Sequence, residues 1–191
     1  MCYVNRMEAL DHKLADLSPD RKEIVDCTAV ARKAIPGDHI AVPFGGAWVD
    51  GCYTGLWHHG IFAGVNEDNE PIAIEMSGRT DIEASIKEVT LERFRGGETV
   101  FAIVVYDADT DVLKGTTLNK ARLALQLYKD DPQDLYNALG SNCEHFATWC
   151  RTGRSVNNLS SMYQLVCSLK VSSQPKPTQR HCYFSFHKVA Q

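Results

Sequence analysis

The chain has 191 residues, 44% of them apolar and 23% charged, with a formal net charge of −4. That length suits one domain with appendages, and the mildly acidic balance speaks against a nucleic-acid partner. The longest uninterrupted apolar run, Val100 to Tyr106, falls far short of the roughly 20 residues of a bilayer span, so no transmembrane anchor is expected.

In chain order, Ser18-Pro19 reads as a helix cap followed by proline at the first helical position. Ile24, Val25, Thr28 and Ala31 then make an apolar stripe that Pro36-Gly37 ends, so residues 1–35 read as a helical N-terminal extension. His39 to Pro43 reads as a short strand. Trp57–Val65 and Glu70–Met76 flank the polar turn 66–69 and read as a β-hairpin. Gly96-Gly97 breaks the chain before the β-rich run Thr99–Tyr106. From there the period changes. Leu118, Ala121, Leu125 and Tyr128 share a helical face behind Thr117 as cap, and a second helix is expected from Asn142 or Cys143 to near Gly153. A third is expected over Leu159–Leu169, before a polar tail at 171–191 that carries Pro175 and Pro177. The order is an α+β pattern, an antiparallel sheet with packed helices.

Seven cysteines, an odd number without a C-x-x-C pair, read as thiols in a reducing compartment rather than a disulfide framework. No apolar stretch follows Met1, so no secretory signal is read and a cytoplasmic protein is expected. One thiol stands apart. With Asn142 as cap, Cys143 falls in the first turn of a helix, where unpaired N–H groups and the helix dipole favour thiolate and offer part of an oxyanion hole. The plainer reading is a buried thiol at a helix start.

A thiolate nucleophile needs a histidine near it in space. Alternation along the strand puts His58, Gly60, Phe62 and Gly64 on one face, and His59, Ile61, Ala63 and Val65 on the other. His59 therefore reads as a core or edge histidine. His58 shares its face with glycines that leave room for close packing, and the helix carrying Cys143 is the expected occupant. If Val65 pairs with Glu70 across the hairpin, Gly60 faces Glu75, and His58 and Glu75 become diagonal neighbours. Glu75 then either orients His58 or is a carboxylate on a solvent face; a slip of one residue would remove the contact. Zinc is the rival chemistry, with Cys143, His145 and Cys150 plus His58 or His59 as ligands. Cys143 and His145, two apart on a helix, point different ways.

The stretch Tyr136-Asn137-Ala138-Leu139-Gly140-Ser141-Asn142-Cys143-Glu144-His145-Phe146, continued by Cys150-Arg151-Thr152-Gly153, resembles the nucleophile motif of lecithin retinol acyltransferase (LRAT)-domain proteins. Gly37-Asp38-His39-Ile40 resembles that family's opening strand, and His58-His59-Gly60-Ile61-Phe62-Ala63-Gly64 its histidine strand, with His58 at the catalytic position. The resemblance covers roughly residues 36 to 155. It implies a permuted papain-like (LRAT-like) fold, with a catalytic domain at 36–170. It also implies acyl transfer or acyl-ester hydrolysis on lipids through a thioester on Cys143.

Two departures stand out. Glu75 occupies the position where the family usually carries a second histidine; a carboxylate can orient the imidazole and stabilise imidazolium equally well. The chain ends in a polar, mildly basic tail where many members have a hydrophobic anchor, so only transient contact with a membrane is expected. No cofactor or metal is implied; the partner is a lipid or acyl-ester substrate. The alternatives are a papain-like amidase or peptidase, and a catalytically degenerate signalling or regulatory protein on the same scaffold.

Overall fold

In the computed structural model the described residues are 19–26, 32–49, 52–78, 84–128 and 143–153. The expected cap at Asn142, the helix at 159–169 and the tail at 171–191 lie outside them. Eight strands run β1 (Pro19–Asp26), β2 (His39–Phe44), β3 (Trp48–Val49), β4 (Cys52–Tyr53), β5 (Leu56–Val65), β6 (Pro71–Ser77), β7 (Ser85–Thr90) and β8 (Val100–Tyr106). Among the described residues three helices accompany them: α1 (Leu91–Arg95), α2 (Asp111–Leu127) and α3 (Cys143–Thr152). Six strands form one antiparallel sheet in the order β1-β8-β2-β5-β6-β7, and β3 and β4 form a separate two-stranded ribbon. The α+β reading holds.

Strand alternation sends side chains into two cores. On one face Ile61, Ala63, Ile72, Ile74 and Met76 meet Leu118, Ala121 and Ala124 of α2 and Phe146, Ala147 and Cys150 of α3. On the other, Phe62, Ala73, Ile40 and Phe101 pack with Val25 and with Leu91 and Phe94 of α1. Fully buried aromatics such as Phe146 and Phe101 anchor these layers; truncating either to alanine typically costs about 3–5 kcal/mol.

Residues 19–26, expected as helix, form a strand instead. β8 needs an outer partner on the side away from β2, and β1 supplies it with Val25 opposite Phe101 and Ile24 opposite Ala102. Ladder pairing and the burial of Val25 override a short helical period. The cap expected at Thr117 is also displaced. α2 begins at Asp111 behind Thr110, whose hydroxyl accepts from the Leu113 N–H at 3.3 Å, whereas Thr117 is a buried residue of the helix interior. Val112 is exposed, so the first turn carries no apolar stripe to read.

The β5–β6 hairpin decides the site. Its register pairs Gly60 with Glu75 and Ile61 with Ile74, as the sequence suggests, but Val65 pairs with Pro71 rather than Glu70. A bulge between Phe62 and Gly64 takes up the difference. Gly64, at φ 100°, adopts the positive φ that this step in the ladder uses.

Candidate active site

His58 lies near the start of β5, just past the Gly60–Glu75 pair that ends the β5–β6 ladder. Its Nε2–H donates to Glu75 Oε2 at 2.6 Å, the diagonal contact that the register provides. Glu75 is buried, and its other oxygen accepts from the Ser77 hydroxyl at 2.8 Å. Both carboxylate oxygens thus have partners, and Lys87 stands opposite Glu75 on β7. Burial works to raise the Glu75 pKa. The hydrogen bond and positive charge of His58, the Ser77 bond and the charge of Lys87 together hold it below the usual carboxylate range.

Cys143 is the first residue of α3, half-buried, with Sγ 3.9 Å from the Trp57 carbonyl oxygen. The thiol acts on the His58 ring electrostatically, as Glu75 does. With Nε2 committed to Glu75, Nδ1 is the ring atom left to face the thiol. Burial draws the His58 pKa down. Cys143 and Glu75 together outweigh burial and push it up to about 9. Imidazolium is therefore the favoured form of His58 at neutral pH. The arrangement can hold a thiolate–imidazolium pair and move a proton through Nδ1, while the carboxylate on Nε2 fixes the ring.

The room beside Gly60 is not filled by α3, as expected, but by Phe94. A Cβ on Gly60 would lie 2.8 Å from the Phe94 ring, and the Phe94 and His58 ring centroids are 5.0 Å apart. α3 packs on the opposite face, so Cys143 meets His58 at the strand's end rather than across the glycines. Phe94 is a site residue that sequence reasoning missed; its one-turn helix is too short to show a period. Behind the site, His59 is buried as expected, bonded to His39.

Among the described residues no group of three or more histidine, cysteine or acidic side chains is gathered to hold a metal ion. Cys150, one of the candidate zinc ligands, is buried in the core beside α2. Burial pushes its thiol up to about 12 against the opposing charge of Lys120. No helix among the described residues is long and apolar enough to cross a membrane.

An antiparallel sheet that holds a helix-start cysteine and a carboxylate-bound histidine together defines an α+β protein with a cysteine–histidine–carboxylate cluster. The sequence profile of lecithin retinol acyltransferase matches residues 32–156, and the chain belongs to the LRAT family. That family has acyltransferase and hydrolase-type activity on lipid acyl substrates. No curated protein and no solved structure matches the chain.

Proposed function

We propose that this protein is a thiol acyltransferase or acyl-ester hydrolase acting on lipid acyl groups, with Cys143 as nucleophile, His58 as acid and base, and Glu75 as the carboxylate that orients His58. The observation that carries the proposal is the His58 ring bonded to Glu75 at 2.6 Å, with the Cys143 thiol at the start of α3 acting on the same ring and 3.9 Å from the carbonyl of Trp57, the residue before His58. The degenerate alternative drew on Glu75 standing where the family carries histidine, and a carboxylate so placed supplies the same orienting bond.

In the first half-reaction the Cys143 thiolate attacks the ester carbonyl carbon. The resulting oxyanion is met by backbone N–H groups at the start of α3. Collapse breaks the carbon–oxygen bond, and His58 Nδ1–H protonates the departing oxygen, leaving a thioester on Sγ and a neutral imidazole. In the second, an acceptor (water, a hydroxyl or an amine) gives its proton to Nδ1 as it attacks the thioester carbonyl, and Sγ departs as thiolate. Glu75 stays ionised throughout and stabilises imidazolium.

The approach to His58 supports a lipid substrate. Phe44, 63% exposed, has its ring 6.4 Å from that of His58, and Trp48, Val49 and Leu56 are also exposed. The aromatic run continues from Trp48 through Tyr53 to Trp57, the residue before His58. Apolar side chains around a polar reacting pair suit acyl chains, and they suit brief contact with a neutral lipid surface better than a soluble peptide. Incubating the protein with phosphatidylcholine vesicles or an activated ester, then mapping acyl mass, tests the proposal. An acyl adduct on Cys143 that Cys143→Ser abolishes is expected. Turnover that survives Cys143→Ser, or an adduct elsewhere, overturns it.

A further inference from the structure

The strand that carries His58 and the helix that carries Cys143 are joined by a second set of polar contacts, on the face of the sheet opposite Phe94. His59 Nδ1 and His39 Nε2 share a hydrogen bond at 2.7 Å, and His39 Nδ1 and the Tyr106 hydroxyl share another at 2.7 Å. Tyr106 meets α3 in turn, with Arg151 4.8 Å over its ring and Thr148 acting on its hydroxyl to oppose the rise in pKa that burial causes. The four side chains come from β5, β2, β8 and α3, and all are buried. One end of this chain is the residue next to His58. The other lies five residues along α3 from Cys143, about 7.5 Å of helix rise.

We propose that His59, His39, Tyr106 and Thr148 act as positioning residues that set the Cys143 sulfur against the His58 ring. The inference rests on the reading of Cys143 and His58 as a reacting pair. One strand, β2, lies between Tyr106 on β8 and His59 on β5 in the sheet order, and His39 on that strand bridges the two. Each junction holds a single proton between two buried polar atoms, so a shift of α3 along the sheet leaves a buried donor or acceptor without its partner. Apolar contacts alone would resist such sliding only weakly, because they have no direction.

The same helix is fixed again farther along. Arg151 is fully buried, paired with Asp109, bonded to Thr117 Oγ1 at 2.9 Å and seated 4.8 Å over the Tyr106 ring. Arg151 stops α3 from tilting at its far end, while the hydroxyl chain sets its height on the sheet. An α-helix is stiff over two turns, so displacement at Thr148 reaches Sγ undiminished. Misplacement of reacting atoms on the order of 1 Å costs about 10²-fold.

The test compares Tyr106→Phe and Thr148→Val, which delete single hydroxyls, with Ile74→Val, which trims the adjoining apolar core. Iodoacetamide alkylation of Cys143 is followed across pH alongside thermal unfolding, and neither readout needs a known substrate. Both hydroxyl variants are expected to slow Cys143 alkylation at neutral pH about 10-fold and to move the midpoint of its pH profile. Ile74→Val should lower the unfolding temperature by a few degrees with the profile unmoved. Should Tyr106→Phe fail to fold, Thr148→Val decides alone. Profiles that superimpose on the wild type overturn the positioning role. A wild-type Cys143 no faster than an ordinary thiol would instead sink the reacting pair itself, and the positioning role with it.

Discussion

Replacing Glu75 by glutamine keeps the shape of the side chain, and the amide oxygen can still accept from His58 Nε2, but the charge is gone. The His58 pKa stands at about 9 against 6.5 for the unperturbed ring, worth about 3 kcal/mol. Burial opposes this, and Cys143 and Glu75 supply it jointly. Losing the Glu75 share of that effect removes on the order of 1–2 kcal/mol of imidazolium stabilisation, or roughly 10-fold and more. In the proposed mechanism His58 donates a proton to the leaving oxygen, so wild-type acylation should fall off as pH rises through about 9. In Glu75→Gln that limb should move more than one pH unit lower, with acyl transfer slowed on the order of 10-fold or more. Stability carries the same sign. A raised histidine pKa contributes stability that is complete below 6.5 and is lost as pH climbs through about 9, and the variant should lose less over that window. Acyl transfer with a phospholipid or activated ester, measured from neutral to alkaline pH, gives the limb directly. Glu75→His should retain substantial activity, since an imidazole can hold the same ring atom. A variant with glutamine that keeps both the full rate and the limb near pH 9 would refute the reasoning, leaving His58 to work as a dyad or with another orienting group.

Limiting iodoacetamide near neutral pH should label Cys143 and leave Cys150 untouched, since the Cys150 thiol is buried and pushed up to about 12; mass mapping that finds Cys150 first would contradict the site. Gly60→Ala should slow acyl transfer at least several-fold while the protein stays folded. Its Cβ falls 2.8 Å from the Phe94 ring and 3.1 Å from the Ile74 carbonyl oxygen, so the ring against His58 must move; unchanged kinetics would show that Phe94 does not hold His58. Arg151→Met should cost about 1–3 kcal/mol by removing the buried guanidinium from half-buried Asp109, which keeps Lys114 at 3.9 Å, and from Thr117, read as a lower denaturation midpoint, and an unchanged midpoint would contradict it.

The site's strands were legible because their signals are local. Polar residues 66–69 between two apolar runs announce a hairpin, and period-two alternation then separates His58 from His59 and places Glu75 near His58. The far end of α3 was legible through Gly153, which takes φ 71° just past the last helical residue. What stayed hidden is non-local or too short. β1 is rich in charge, and only β8, distant in sequence, makes it a strand. α1 is five residues long, less than the span a period needs, so nothing marked Phe94 as the neighbour of His58. Nor does a lone tyrosine ending an apolar strand reveal that its hydroxyl reaches His39.

The bulge beside Gly64 separates the length of the 66–69 loop from the address of Glu75. In an unbroken ladder, one residue gained or lost in that loop would slide β6 past β5, turning Glu75 to the α3 face and Ile74 and Met76 out of their core. Here the ladder already changes step between the loop and the Gly60–Glu75 pair, so a length change can be taken up at that joint. A loop of another length would leave the carboxylate on its histidine. A β-branched residue at position 64 would resist the positive φ that the joint uses, and a loop insertion would then reach the His58 end of the strand.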